Sequence, residues 1–450
     1  MLFNSITFVL FFAVVLVTYW LIAKTEKSKI FSLFIASLIF YGYWSVNLLM
    51  LMVSCITVNY FLAILIHAKK FKYLTLFAIL VNIALLCYFK YTNFFIDILN
   101  DLSTKSLPHY KIILPIGISF YTFQCLGYIL DVSKNDIEPE KNYIYFTTFV
   151  IFFPHLVAGP IQRSKHLLPQ FRQIHSVDNQ KVVTALNLIA LGYLKKIVIA
   201  DSLSPYVNDV FSNYLDFGSG EILLASIYFS AQIYCDFSGY SDIARGCSRL
   251  LGFELMENFK LPYLSKNITE FWQRWHISLS TWFKDYLFIP LGGNRNSKWR
   301  NAFNYFLVFT ISGIWHGANY TFLIWGSIHG LLLIIDKNIQ HFFTIKLPGF
   351  LTAIFTFFSV NMLWIYFRAP NLSTANYMVS QIILHPSLPK YQRLPLIYFF
   401  LLVIIEFIFY NNKINQLNRY LKLSIYSAIV LIIVNYLTTS NEQQFIYFDF

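Results

Sequence analysis

Charge is scarce in this chain. Asp, Glu, Lys and Arg together make up 12% of 450 residues, about half of the roughly 25% that a soluble domain carries. Hydrophobic residues fill 57%, more than a soluble core of this size needs, so a water-soluble globule is excluded. Acids are scarcer than bases, 22 against 34. The five cysteines, at 55, 87, 125, 235 and 247, form no CxxC pair and have no histidine at metal spacing. That leaves no ground for a zinc finger or a disulfide framework, and buried free thiols are the plain reading. Also missing are HExxH, a GxSxG elbow and a Walker loop, so metalloprotease, serine hydrolase and ATPase readings have no support. No internal repeat and no low-complexity linker is visible.

What the chain has instead is aromatic residues, 47 Phe and 31 Tyr among them, in long apolar runs. These predict an all-α polytopic membrane protein. The runs lie between residues 5 and 439. A crossing needs about 20 apolar residues, so about 11 to 13 crossings are expected. The first run, "SITFVLFFAVVLVTYWLIA", lacks a basic start and a cleavage site and reads as a retained helix. Basic residues cluster between runs: Lys24, Lys27 and Lys29; Lys69, Lys70 and Lys72; Lys413, Arg419 and Lys422. This is the pattern of cytoplasmic loops. It places the N-terminus and the last stretch, 440–450, outside, which requires an even number of crossings. The weakest run is "LPIGISFYTFQCLGYIL", with Pro115 and Gly117 near its start. A nucleic-acid partner is not expected from the net charge of +12, since the bases sit in loops. The region from roughly 240 to 300 mixes Trp272, Trp275, Trp282 and Phe283 with many cations, which suits interfacial or re-entrant helices.

Ionisable groups at membrane depth are costly and therefore candidate sites. His316 lies between Trp315 and Gly317 at the join of two apolar runs, and His329 lies on the same stretch, where a structural role is the plainer reading. His276 sits 40 residues before His316, also beside a tryptophan. Helical spacing would put Trp272, His276 and Ser280 on one face. Two such histidines suggest an acid–base pair in one cavity, because imidazole holds both protonation states near neutrality. Asp236 and Asp242 read as structural, paired with Arg245 or a hydroxyl. Glu406 reads as bonded to a neighbouring helix. Arg274, Lys284, Arg295, Lys298 and Arg300 either enforce topology or attract a polyanionic ligand.

Five strings are then recognisable in order: "LPIGISFYTFQ", "FFPHLVAGPIQR", "YCDFSGYSDIARG", "ITEFWQRWHISLSTWFKDYLFIPLGGNR" and "SGIWHGANYTFLIWGSIHG". Together they resemble the membrane-bound O-acyltransferase (MBOAT) family over roughly residues 30 to 370. The bacterial branch concerned with O-acetylation of alginate and of peptidoglycan looks nearest. The resemblance implies one membrane domain over 1–450, built of helices around a tunnel, with His316 as the invariant family histidine and His276 as the second. It implies acetyl-CoA as a donor on the cytoplasmic side, with no permanently bound cofactor, in a bacterial cytoplasmic (inner) membrane. It also implies a separate extracytoplasmic partner of the SGNH-hydrolase type that acetylates a polysaccharide. Arg274, Lys284 and Arg295 are then the candidate donor-binding cations. A multi-pass transporter or flippase is the alternative, but it has no evident use for the Trp- and His-rich segment.

The chain closes on "FIYFDF" after the polar stretch "TTSNEQQ". Phe445, Phe448 and Phe450 read as apolar anchors and the polar stretch as a hinge. Tyr447 is then a candidate acyl carrier with His316 as its base, similar to the aromatic motif of the companion peptide in teichoic-acid D-alanylation. An interfacial aromatic anchor is the other reading.

Overall fold

The computed structural model describes the chain apart from residues 69–72, 104–105, 158, 174, 343–347, 390–395, 411–417, 440–444 and 447–450. Lys69, Lys70, Lys72, Lys413, most of the expected hinge, and Tyr447, Phe448 and Phe450 therefore lie outside the described residues. Every regular element among the described residues is helical, as the apolar runs predict. Val46–His67, Leu74–Leu102, Asn179–Ser212 and Gly349–Arg368 are long and apolar enough to cross a bilayer, and Ile6–Ile22 and Ser424–Tyr436 are shorter apolar helices. Other expected runs are helical but broken or short. The run at 142–158 divides at Phe152 into Tyr143–Ile151 and Phe153–Leu156, and the run at 112–130 becomes helical only at Ile118.

Two compact units divide the chain: Met1–Ile189 with Ile243–Met256, and Ala190–Asp242 with Glu257–Phe450. In the first unit the helix Ile118–Ser133 is almost wholly buried, and Glu140 binds Arg172 through both carboxylate oxygens at 2.7 Å. The candidate residues all belong to the second unit.

The region expected to lie at the interface differs from that expectation in two ways. Residues 240–250 belong to a continuous 32-residue helix, Ser219–Leu250, so the irregular segment begins only at about Leu251. Its tryptophans, Trp272, Trp275 and Trp282, are all buried within the protein. The histidine segment is not one helix. It breaks into Ile268–Arg274 and Ile277–Phe283, with His276 between them in the left-handed region at φ +43°. The common face predicted for Trp272, His276 and Ser280 is therefore lost.

Helix Lys298–His316 and helix Tyr320–Phe342 follow one another through a three-residue turn. Their backbones come close at Gly313 and Gly326. A methyl group on Gly313 would lie 2.3 Å from the carbonyl oxygen of Phe322, and one on Gly326 would lie 2.3 Å from that of Phe309. The first helix ends on His316, one turn beyond this contact. Gly313→Ala is expected to destabilise the protein by roughly 1–3 kcal/mol, the range for overpacking. Thermal unfolding of the purified protein in detergent reads this as a lowered midpoint, and an unchanged midpoint would mean the helices part without cost.

Candidate active site

His276 is brought to its place by its neighbours' backbone. The Ile277 N–H donates to the carbonyl of Asn258 at 3.0 Å, and the Ser278 N–H donates to its Oδ1 at 3.3 Å. Asn258 is itself buried and donates from Nδ2 to Ser241 Oγ on the long helix at 3.2 Å. These bonds hold a non-glycine residue in the left-handed region, a conformation that costs energy and is concentrated at functional sites. Asn258 was not legible in the sequence, because its work is done through main-chain partners that no spacing reveals.

The two histidines predicted to share a cavity do come together. Their ring centroids lie 6.3 Å apart, a spacing that admits one oxygen atom between the rings. Phe237 meets His276 edge-on at 4.7 Å, and Trp325 and Phe367 meet His316 at 5.2 and 5.4 Å. Both rings are buried, and neither nitrogen of His276 has a hydrogen-bond partner among the described residues. His276 lies outside the membrane-spanning helices, and burial alone pushes its pKa down to about 3. The imidazole is thus neutral throughout the physiological range. His329 is fully buried against Trp272 and Trp325, at 5.0 and 4.8 Å.

A cavity of about 390 Å³ lies in the same unit, lined by Ile277 next to His276 and by Ser312 but by neither histidine itself. Trp272, Leu279, Phe309 and Ser312 line it, together with Lys284 and Lys337. Ser312 is one helical turn before His316 and so lies on the same face. Trp272 packs on Trp325, and Trp325 packs on His316, so a continuous chain of rings joins the cavity wall to the catalytic candidate. Lys284 is largely exposed and lies 3.8 Å from Asp285. Lys337, which sequence reasoning passed over, sits 4.8 Å over the ring of Tyr305. Arg295 is exposed and is not part of this lining. Arg274 is occupied elsewhere: its guanidinium donates to Glu270 at 2.5 Å and to the carbonyl of Lys260 at 3.3 Å.

Behind His276 lies a buried ion cluster. Lys195 and Lys196 fall in a π-helical stretch, Leu194–Ala200, an uncommon geometry found often at functional sites. Lys196 bridges Asp201 at 2.8 Å and Asp236 at 2.6 Å. Lys195 meets Asp242 at 3.1 Å and Glu406 at 3.6 Å, and Tyr234 also donates to Glu406. Gly239 permits this closeness, since a methyl group there would lie 2.7 Å from the carbonyl of Gly192. Asp236 and Asp242, for which the sequence suggested Arg245 or a hydroxyl as partner, are paired with Lys196 and Lys195. Glu406 is bonded across helices as expected.

The tail reaches the same place. The Ile446 N–H donates to Asp236 Oδ2 at 2.7 Å. Phe445 is wholly buried, 4.6 Å from the ring of Tyr240 and 5.7 Å from Phe237. Tyr447 follows one residue later, outside the described residues.

The sequence profile of the membrane-bound O-acyltransferase family matches residues 140–379. The probable alginate O-acetylase AlgI of Pseudomonas aeruginosa is 41% identical over 388 residues, which is 83% of this chain and 73% of that protein. The peptidoglycan O-acetyltransferase of Helicobacter pylori is 35% identical over 412 residues, 83% of this chain and 78% of that protein. The teichoic acid D-alanyltransferase of Bacillus subtilis is 31% identical over 238 residues, 50% of this chain and 60% of that protein. The transporter alternative has no counterpart in these matches. With its helical membrane fold and its paired buried histidines, the chain belongs to the membrane-bound O-acyltransferase family and is an O-acyltransferase.

Proposed function

We propose that this enzyme moves an acetyl group from cytoplasmic acetyl-CoA through a bacterial inner membrane, for O-acetylation of an extracytoplasmic polysaccharide of the alginate or peptidoglycan kind. The observation that carries the reading is the pairing of buried His276 with His316, their ring centroids 6.3 Å apart; a cavity with Lys284 and Lys337 in its lining adjoins it through Ile277 and Ser312, which stand on the same segments as the two histidines. The names of the relatives support the polymer class. In this reading a separate extracytoplasmic transferase of the SGNH-hydrolase type is the partner.

In this reading the hydroxyl of Tyr447 is the first acceptor. A free tyrosine ionises only near pH 10, so it needs a base, and His316 is that base. His316 takes the phenolic proton as the oxygen attacks the thioester carbonyl. The C–S bond of the tetrahedral intermediate then breaks. The departing sulfur takes the proton from the imidazolium, leaving neutral His316, free thiol and an acetylated tyrosine. The partner then passes the acetyl group to a polymer hydroxyl. Neutral His276 orients the hydroxyl or stabilises the developing oxyanion. The anchoring of Phe445 and Ile446 near the histidine pair supports Tyr447 as carrier.

His316→Ala is expected to lower transfer by about 10²–10⁴-fold, the usual contribution of general acid–base catalysis, in protein that still folds. Acetyl transfer from radiolabelled acetyl-CoA by purified protein measures this, and wild-type turnover would remove the assignment. Tyr447→Phe keeps the ring and removes one oxygen. Polymer acetylation should be lost at normal expression, and mass spectrometry should find an acetylated tail peptide in the wild type when the partner is absent. Full activity in Tyr447→Phe would leave the tail as an anchor. Lys284→Gln with Arg295→Gln should raise the apparent KM for acetyl-CoA at low salt, with the difference shrinking as ionic strength screens exposed charge. An unchanged KM at low salt would restrict both residues to setting topology.

A further inference from the structure

The ion cluster has a feature that holding helices together does not require. Asp236 divides its carboxylate between two donors, Oδ1 taking the ammonium of Lys196 and Oδ2 taking the main-chain N–H of Ile446. On its other side Lys196 holds Asp201, and Asp201 accepts the hydroxyl of Tyr436 at 2.6 Å. Tyr436 stands near the end of the helix Arg419–Thr439, which leads into the tail. A single lysine therefore pins the chain on both sides of the polar stretch, at residue 436 and at residue 446.

We propose that Lys196, with Asp201 and Asp236, is a register clamp for the tail, and that Asp236 is a positioning residue for acyl transfer. The proposal rests on Tyr447 as acyl carrier. A main-chain N–H is the same at every residue, so the amide contact alone would tolerate slippage. Phe445 removes that freedom, because its fully buried ring packs against both Tyr240 and Phe237. A slip of one residue would put Gln444 or Ile446 there. The amide contact sets depth and the aromatic contact sets register. The bond is charge-assisted and buried, a class stronger than neutral hydrogen bonds, and an undocked tail would leave Asp236 short of a donor. Phe237 touches both Phe445 and His276, so the clamp and the orienting histidine share one ring.

The clamp predicts that length matters on one side of it only. One glycine inserted between Asn441 and Glu442 lies between the two pinned points, and loop-closure entropy grows slowly with length. Acetyl transfer should stay within about twofold of wild type. One glycine inserted between Ile446 and Tyr447 displaces the carrier from the clamp, and transfer should fall to the level of Tyr447→Phe. Equal loss in both insertions, or full activity in both, overturns the clamp. A second measurement does not depend on Tyr447. Hydrogen exchange of the full chain in detergent, read on peptides covering 444–450, should show a protected amide at Ile446. Asp236→Ala should speed its exchange by about tenfold or more, the scale of a hydrogen bond to a charged group. Ile446→Pro, which removes the donor and leaves the ion cluster intact, covers the case in which Asp236→Ala fails to fold: transfer should fall while the thermal midpoint stays. Fast exchange at Ile446 in the wild type overturns the proposal. If Tyr447→Phe is fully active while Ile446 is protected, the carrier reading fails and the clamp remains as a tail anchor.

Discussion

One ammonium group, that of Lys196, sets the arrangement of the second unit. It is buried in an apolar surround, where an unpaired charge would cost several kcal/mol, so its two carboxylates must be present and close. Asp201 comes from the same helical stretch and Asp236 from the long helix Ser219–Leu250. Satisfying Lys196 therefore draws these helices together at a fixed height. The close approach at Gly239 and the pairing of Lys195 with Asp242 follow from the same contact. One residue beyond Asp236, Phe237 presents its ring to His276. The position of the histidine is thus linked through one helix to the position of a charge pair.

Much of this could be read from the sequence. The helical membrane class followed from long apolar runs with little charge. His276 and His316 stood out because ionisable residues beside tryptophans in an apolar context are rare, and the structure sets them 6.3 Å apart. The missing parts have physical reasons. Lys195 and Lys196 sit in the middle of "LGYLKKIVIA", where two bases in an apolar run look like a topology signal. Their cost at membrane depth was the available signal, and four acids elsewhere in the chain were the matching one. The break at His276 could not be seen, because it depends on Asn258 bonding two amide groups 19 and 20 residues away in sequence. The irregular segment was placed too early because Asp236, Asp242 and Arg245 make the end of a buried helix look polar.

Arg274 shows the limit of charge counting. It lies two residues from the catalytic candidate and carries the charge that a polyanionic donor would seek. Its guanidinium is nevertheless committed to Glu270 and to a main-chain carbonyl, and a committed guanidinium ties helix Ile268–Arg274 to the preceding turn. Lys284 and Lys337 have looser surroundings, an exposed acid in one case and an aromatic face in the other. A ligand could displace either contact at little cost, since exposed ion pairs contribute about 0–1 kcal/mol.

Charge and chemistry are kept apart in this unit. The charges are collected in the cluster behind His276, where lysines and carboxylates answer one another. The histidine pair faces aromatic rings: Phe237, Trp315, Trp325 and Phe367. A full phenolate or a full imidazolium standing alone in such a surround would be poorly solvated. In the proposed step, proton transfer to His316 must therefore accompany attack on the thioester, because neither ion is stable enough to wait for the other. Such coupling demands that hydroxyl, base and carbonyl be aligned before reaction, which is worth several kcal/mol of barrier when achieved. An aromatic surround can supply that alignment only by holding its parts rigidly. In the proposed step, the buried ions, one ring away from His276 through Phe237, hold them.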